Sequence, residues 1–103
     1  MRDIDLADGL HPSVLRLIGE VVAASHTAGK WTGICGELGG DSEATAILVG
    51  LGVDELSLNP AGIPRIKSIL RDLTMDKARV LAQQALRCKT SAEVRQLVRE
   101  INS

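Results

Sequence analysis

The chain has 103 residues, 45% of them apolar, and a formal net charge of −1, which suits one modest globular core and is too rich in Leu, Ile and Val for a disordered segment. With no Phe, no Tyr and a single Trp it has no aromatic platform for stacking bases, and its balanced charge gives no basic field for a phosphate backbone, so nucleic acid is excluded as a partner. No apolar run approaches the roughly 20 residues of a membrane span, and Met1-Arg2-Asp3-Ile4-Asp5-Leu6 lacks the apolar core of a secretion signal, so no membrane contact and a cytoplasmic location are expected.

His11-Pro12 opens a helix in which Val14, Leu15, Leu17, Ile18, Val21 and Val22 recur at helical spacing up to Ala28-Gly29. A β-rich run follows over about 31–35, Trp31 to Cys35. Asp41 is predicted to cap a second helix carrying Ala44, Ile47, Leu48 and Leu51, which Gly52 stops. A second strand is predicted over about 53–58, with Leu56 and Leu58 on one face. From Asn59-Pro60 a third helix lines up Ile63, Ile66, Ile69 and Leu70. Over about 74–102 only helix remains: Ala78, Leu81, Ala82, Ala85 and Leu86, then Val94, Leu97, Val98 and Ile101, with Thr90 and Glu93 spaced as a capping box.

Two strands joined by a helix form one right-handed parallel crossover unit. Two strands alone leave both edges unpaired, whereas a parallel sheet is normally covered on both faces. A (β/α)₈ barrel takes roughly 250 residues. The expected fold class is therefore α/β: an incomplete (β/α)₈ barrel, with residues 1–103 as its carboxyl-terminal portion and a helical tail, cut from a longer polypeptide.

The chemistry concentrates in Thr32-Gly33-Ile34-Cys35-Gly36-Glu37-Leu38-Gly39-Gly40-Asp41, where a thiol leaves an apolar strand and enters a glycine-rich loop. Glycines at 33, 36, 39 and 40 let a ligand approach the backbone closely, and a strand's carboxyl end is where α/β folds keep their reactive groups. Cys35 and Cys88 lie far apart and lack the close Cys/His spacing of a structural zinc, so both read as free thiols and no metal site is expected. Cys88, at the end of an alanine-rich helix, reads as filler. His11 and His26 read as structural or solvated. Asp54 and Glu55, as strand neighbours, point to opposite faces and cannot act as a pair. Arg65, Lys67, Arg71, Lys77 and Arg79, interleaved with Asp72 and Asp76, describe a solvated face.

The blocks from His11-Pro12-Ser13-Val14-Leu15-Arg16-Leu17-Ile18, through Gly29 to Asp41, to Leu51-Gly52-Val53-Asp54-Glu55-Leu56-Ser57 and Ile63-Pro64-Arg65-Ile66-Lys67, resemble the carboxyl-terminal end of enzyme I. Those are the phosphoenolpyruvate (PEP)–protein phosphotransferases of the bacterial sugar phosphotransferase system. The Cys-Gly-Glu motif with its trailing Gly-Asp is similar across the wider PEP-utilising family. The resemblance implies a barrel that binds PEP or pyruvate with Mg²⁺, a phosphorylated histidine on a separate domain, transfer onward to the carrier HPr, and a homodimer. It implies that Cys35 protonates the methylene carbon of enolpyruvate, and that Gly33, Gly36, Glu37 and Gly39 border the substrate. Glu37 has two readings, a group that orients the thiol or a surface carboxylate. The family's arginines, Mg²⁺-binding carboxylates and phosphohistidine match nothing in this sequence, so this piece alone is expected to bind no cofactor and to be inactive.

Two other functions fit the same residues. The chain could be an assembly module whose cysteine loop does no chemistry of its own, or a small α/β protein with a redox or nucleophilic thiol. The second needs a base or cation beside Cys35. The candidates nearest in sequence, His26 and Lys30, precede the strand and so belong at its other end.

Overall fold

The structure is a computed structural model that describes residues 9–34, 38 and 40–102. In chain order it contains helix α1 (Pro12–Thr27), strand β1 (Gly33–Ile34), helix α2 (Thr45–Gly50), strand β2 (Glu55–Leu56), a 3₁₀ turn (Pro60–Gly62), and helices α3 (Ile63–Arg71), α4 (Met75–Leu86) and α5 (Ser91–Asn102). The strands pair in parallel, Gly33 opposite Glu55 and Ile34 opposite Leu56, as the strand–helix–strand order requires. Both strands are shorter than predicted. Among the described residues each has a single partner, so the ladder persists only where the two strands face each other, and Trp31, Val53 and Leu58 lie outside it.

Local chemistry sets the helix ends. His11 Nδ1 accepts from the Ser13 N–H (3.1 Å) and Pro12 occupies the first turn of α1, a position where its missing N–H costs nothing. Gly29 (φ +75°) and Gly52 (φ +95°) follow α1 and α2 in left-handed conformations that a side chain would strain. Thr74 caps α4 through the Lys77 N–H (3.2 Å). At α5 the capping box forms with a shifted return leg. The Glu93 N–H donates to Thr90 Oγ1 (3.1 Å), but the Glu93 carboxylate accepts from the Lys89 N–H (2.8 Å) rather than from that of Thr90.

The core joins Leu10 and Leu15 to Ala44, Ile47 and Leu48, and these to Leu81, Ala82, Ala85, Val94 and Val98. Its densest packing is α2 against α4, where small residues bring the two backbones together. A Cβ added at Gly50 would lie 2.9 Å from Ala82 Cβ, 2.5 Å from the Ala78 carbonyl carbon and closer still to its oxygen.

The apolar stripes are wider than what covers them. On α1 Leu15 and Val22 are buried, while Leu17 and Val21 are exposed; on α3 Ile66 is buried, while Ile63 and Leu70 are exposed; Ile101 of the predicted α5 stripe is also exposed. The basic residues from Arg65 to Arg79 are exposed, as expected of a solvated face.

Candidate functional site

Of the predicted site residues, Cys35, Gly36, Glu37 and Gly39 lie outside the described residues, and Gly33 and the flanking chain lie within them. Gly33 sits exposed in β1. A Cβ there would make ordinary contacts, 3.5 Å from the Trp31 ring and 3.7 Å from Glu55 Cβ, so packing does not by itself require glycine at that position. Position 35 follows directly on Ile34, the last residue of β1.

The amino ends of the strands are tied together by Asp54. One carboxylate oxygen, Oδ2, accepts from the Thr32 N–H (2.8 Å) and from His26 Nε2 (2.8 Å), and the Thr32 carbonyl accepts from the Asp54 N–H (2.9 Å). A carboxylate only accepts, so the proton belongs to His26 Nε2. These two hydrogen bonds hold the Asp54 carboxyl below its usual range, that to His26 first and that to Thr32 second. Asp54 thus fastens the end of α1 to the start of the sheet, and its pairing with Glu55 as acid and base fails on placement as well as on direction. His26 is engaged at the amino end of the sheet, whereas position 35 follows the carboxyl end of β1. The side chain of Thr32 is buried with its hydroxyl oxygen unpaired among the described residues.

The other end of the glycine loop is held by Asp41, and differently from what the sequence suggested. Asp41 does not cap α2, which begins at Thr45 with no side-chain cap. Its Oδ1 accepts from the Glu43 N–H (3.0 Å), closing a turn over 41–44. Its carbonyl accepts from the Ala44 N–H (2.9 Å) and the Thr45 hydroxyl (3.3 Å), and its own N–H donates to the Leu38 carbonyl (3.2 Å). The remaining carboxylate oxygen, Oδ2, accepts from Arg95 Nη2 (2.9 Å). Leu38 is half-buried and packs against the core.

Arg95 reaches across from α5 and also donates through Nη1 to Glu43 Oε1 (2.7 Å), while Arg99 Nε, one turn on, donates to Glu43 Oε2 (2.7 Å). The sequence reading missed this cluster. Its only trace there was a pair of arginines four apart beside an apolar stripe, and their partners lie 52 to 56 residues away. The two arginines, Arg99 foremost, hold the Glu43 carboxyl below its usual range against the opposing effect of burial.

Glu43 and Asp54 are both better ionised in the native state than in the unfolded chain, so each contributes stability that is complete above the ordinary carboxylate range and is lost as pH falls through the lowered native values. Thermal melts are expected to be flat from neutrality to about pH 5 and to fall below it. Glu43→Gln should cost about 1 kcal/mol at neutral pH and flatten the acid limb; an unchanged acid limb would remove Glu43 from this account.

No group of three His, Cys, Asp or Glu among the described residues is arranged to hold a metal ion. Asp41 and Glu43, the carboxylates that follow the glycine loop in the chain, are already engaged by guanidinium groups. Cys88 is half-buried, its S–H donates to the Gln84 carbonyl (3.5 Å), and burial, then Glu93, push its thiol up, which is the behaviour of filler. A cleft of about 340 Å³ between the helices is lined by Ser42, Ile69, Lys77, Leu81, Val98 and Ile101 among other described residues, and Gly33 is not one of them. No helix among the described residues is long and apolar enough to cross a membrane.

Residues 2–75 match the family described as PEP-utilising enzyme, PEP-binding domain. Among curated proteins the chain is 50% identical over 95 residues, 92% of its length, to the phosphoenolpyruvate-protein phosphotransferase of Haemophilus influenzae, of which it covers 16%. It is 46% identical over 93 residues to the multiphosphoryl transfer protein of an Escherichia coli strain, covering 90% of this chain and 11% of that protein. With the phosphoenolpyruvate-protein phosphotransferase of Staphylococcus carnosus it shares 43% over 90 residues, 87% of this chain and 16% of the relative. The chain thus spans about a sixth or less of the curated relatives it matches. A parallel strand–helix–strand unit of this kind, matched over most of its length to one domain, identifies the chain as a member of the PEP-utilising enzyme family, similar to the carboxyl-terminal part of enzyme I.

Proposed function

We propose that residues 1–103 are the carboxyl-terminal portion of a PEP-binding (β/α)₈ barrel in a cytoplasmic, homodimeric PEP–protein phosphotransferase, and that Cys35 is its proton donor to enolpyruvate. The observation that carries the reading is the match of residues 2–75 to a PEP-binding domain. It is supported by the parallel pairing of β1 with β2 and by the position of residue 35 directly after β1. The exposed apolar residues Leu17, Val21, Ile63 and Leu70, together with a sheet of two strands among the described residues, are what barrel units show when their neighbouring strands belong to other polypeptide.

In the complete enzyme the phosphoryl group leaves PEP for a histidine on a separate domain and passes to HPr, and the enolate left behind takes a proton at its methylene carbon from the Cys35 thiol. An unperturbed thiol, with a pKa of about 8.5, is mostly protonated at neutral pH and ready for that step. Backbone N–H groups around Gly33, Gly36 and Gly39 would donate to the substrate's carboxylate or phosphate, with Glu37 orienting the thiol or facing solvent. Bound Mg²⁺ supplies charge neutralisation at the phosphate. Its ligands would be carboxylates elsewhere in the enzyme, a reading supported by the engagement of Asp41 and Glu43 with arginines. Without that ion and its companion cations the isolated chain does not turn over, because the loss of a single preorganised donor already costs 10²–10³ in rate.

Trp31, 64% exposed and four residues before Cys35, makes a direct test. A saturable change in tryptophan emission when PEP is titrated into the chain with Mg²⁺ would show that the segment keeps a residual binding site of its own. Silence together with a clean dimer would assign the chain to assembly without chemistry.

A further inference from the structure

We infer that Arg95 is a positioning residue for the segment that carries Cys35, acting from α5 through Asp41. The inference rests on the reading of Cys35 as the reacting group, and the evidence for it is separate. All the polar atoms of Asp41 are engaged. Its N–H returns to Leu38, its carbonyl starts the turn into α2, Oδ1 closes that turn, and Oδ2 is held by Arg95 at 2.9 Å.

Leu38 is anchored a second time by its side chain in the core. A Cβ at Gly9 would lie 2.7 Å from one of its methyl groups, so that side chain fills its site closely. The chain around Cys35 is therefore bounded by β1 at Ile34 on one side and by Leu38 and Asp41 on the other. Among the described contacts of these fixed points, that of Asp41 is to a distant charge. Arg95 suits the task because its planar fork reaches two carboxylates at once, with Glu43 at 2.7 Å, and it is only 25% exposed. A lysine ammonium is a single point charge and cannot hold both in fixed geometry. A reacting group misplaced by about 1 Å can cost on the order of 10²-fold in rate.

The test is backbone hydrogen exchange on the full chain, comparing the peptide 33–41 with peptides from α4. Arg95→Gln is expected to speed exchange in 33–41 at least fivefold and leave α4 within twofold, and to raise the iodoacetamide rate of Cys35 in parallel. Arg95→Lys should recover only part of either effect. Arg99→Gln, which loosens Glu43 but does not touch Asp41, should leave both readouts within twofold. Uniform acceleration across 33–41 and α4 would reduce Arg95 to a general stabiliser and overturn the inference, as would no change in 33–41. Should Arg95→Gln fail to fold, Asp41→Asn weakens the same contact from its other side and is judged by the same two readouts. None of these readouts depends on turnover, so a refutation of Cys35 as proton donor leaves them standing, and their failure leaves the Cys35 reading untouched.

Discussion

Gly50→Ala is expected to lower the stability of this chain by about 3 kcal/mol or more, the upper end of overpacking penalties. The new methyl would meet the carbonyl of Ala78, at 2.5 Å from its carbon and nearer to its oxygen. That obstacle is backbone, and it sits in the first turn of α4, whose hydrogen bonds resist a shift. No rotamer relieves it, and truncating Ala82 to glycine removes only the more distant contact at 2.9 Å. The double variant Gly50→Ala/Ala82→Gly should therefore recover little. For a domain of this size each kcal/mol moves the melting temperature by about 4–8 °C, so thermal denaturation should show a fall of more than about 12 °C or no cooperative transition.

Gly19→Ala is the internal contrast. Gly19 lies inside α1, and a Cβ there would meet only Leu51 at 3.7 Å, an ordinary contact. Glycine inside a helix costs roughly 0.5–1 kcal/mol relative to alanine, so this variant should melt a few degrees higher. If both substitutions raised stability, helix propensity would be the common cause and the close crossing of α2 over α4 would not matter.

Much of this architecture was legible because it follows from local rules. Pro12 behind a capping residue, Thr74 and Thr90 before their helices, and Gly29 and Gly52 after theirs all sit where short-range backbone chemistry puts them. The parallel pairing of β1 and β2 followed from chain order. The length of the strands did not, because an apolar run such as Val53–Leu58 says that residues are covered, not that their N–H groups find a partner strand.

Asp41 shows a second limit. Its preference for helix starts reflects one competition, a carboxylate seeking the nearest free N–H groups. In the folded chain the nearest such group is that of Glu43, and Arg95 claims the other oxygen, so the regular helix begins four residues later at Thr45. That arginine lies 54 residues further on, and no periodicity within a helix announces a partner at that distance. The chemistry at position 35 was legible from the residue types alone, a thiol among glycines at the end of a strand, whereas the groups that hold its surroundings in place were not.

In a full-length phosphotransferase carrying this segment, Cys35→Ala is expected to reduce the exchange of the methyl hydrogens of pyruvate with deuterated solvent by about 10²–10⁴, the usual range for removing a positioned acid–base group. The two directions of the reaction should suffer unequally. Forward, the phosphoryl group has already left PEP when the enolate needs its proton, and solvent can supply one after release, so phosphoryl transfer should fall less than exchange. In reverse, a methyl hydrogen of pyruvate must be taken by the thiolate before the enolate oxygen can attack, and water at neutral pH is a poor substitute. The pH dependence has a definite sign. Exchange starting from pyruvate needs the deprotonated sulfur and should rise with pH until the thiolate is fully formed, while protonation of the enolate needs the S–H and should decline over the same interval. Cys35→Ser should resemble the alanine variant, because an alcohol far less acidic than a thiol provides almost no base for the reverse step. An alanine variant that exchanges the methyl hydrogens at an undiminished rate would remove Cys35 from the chemistry and turn attention to the assembly role of the helices.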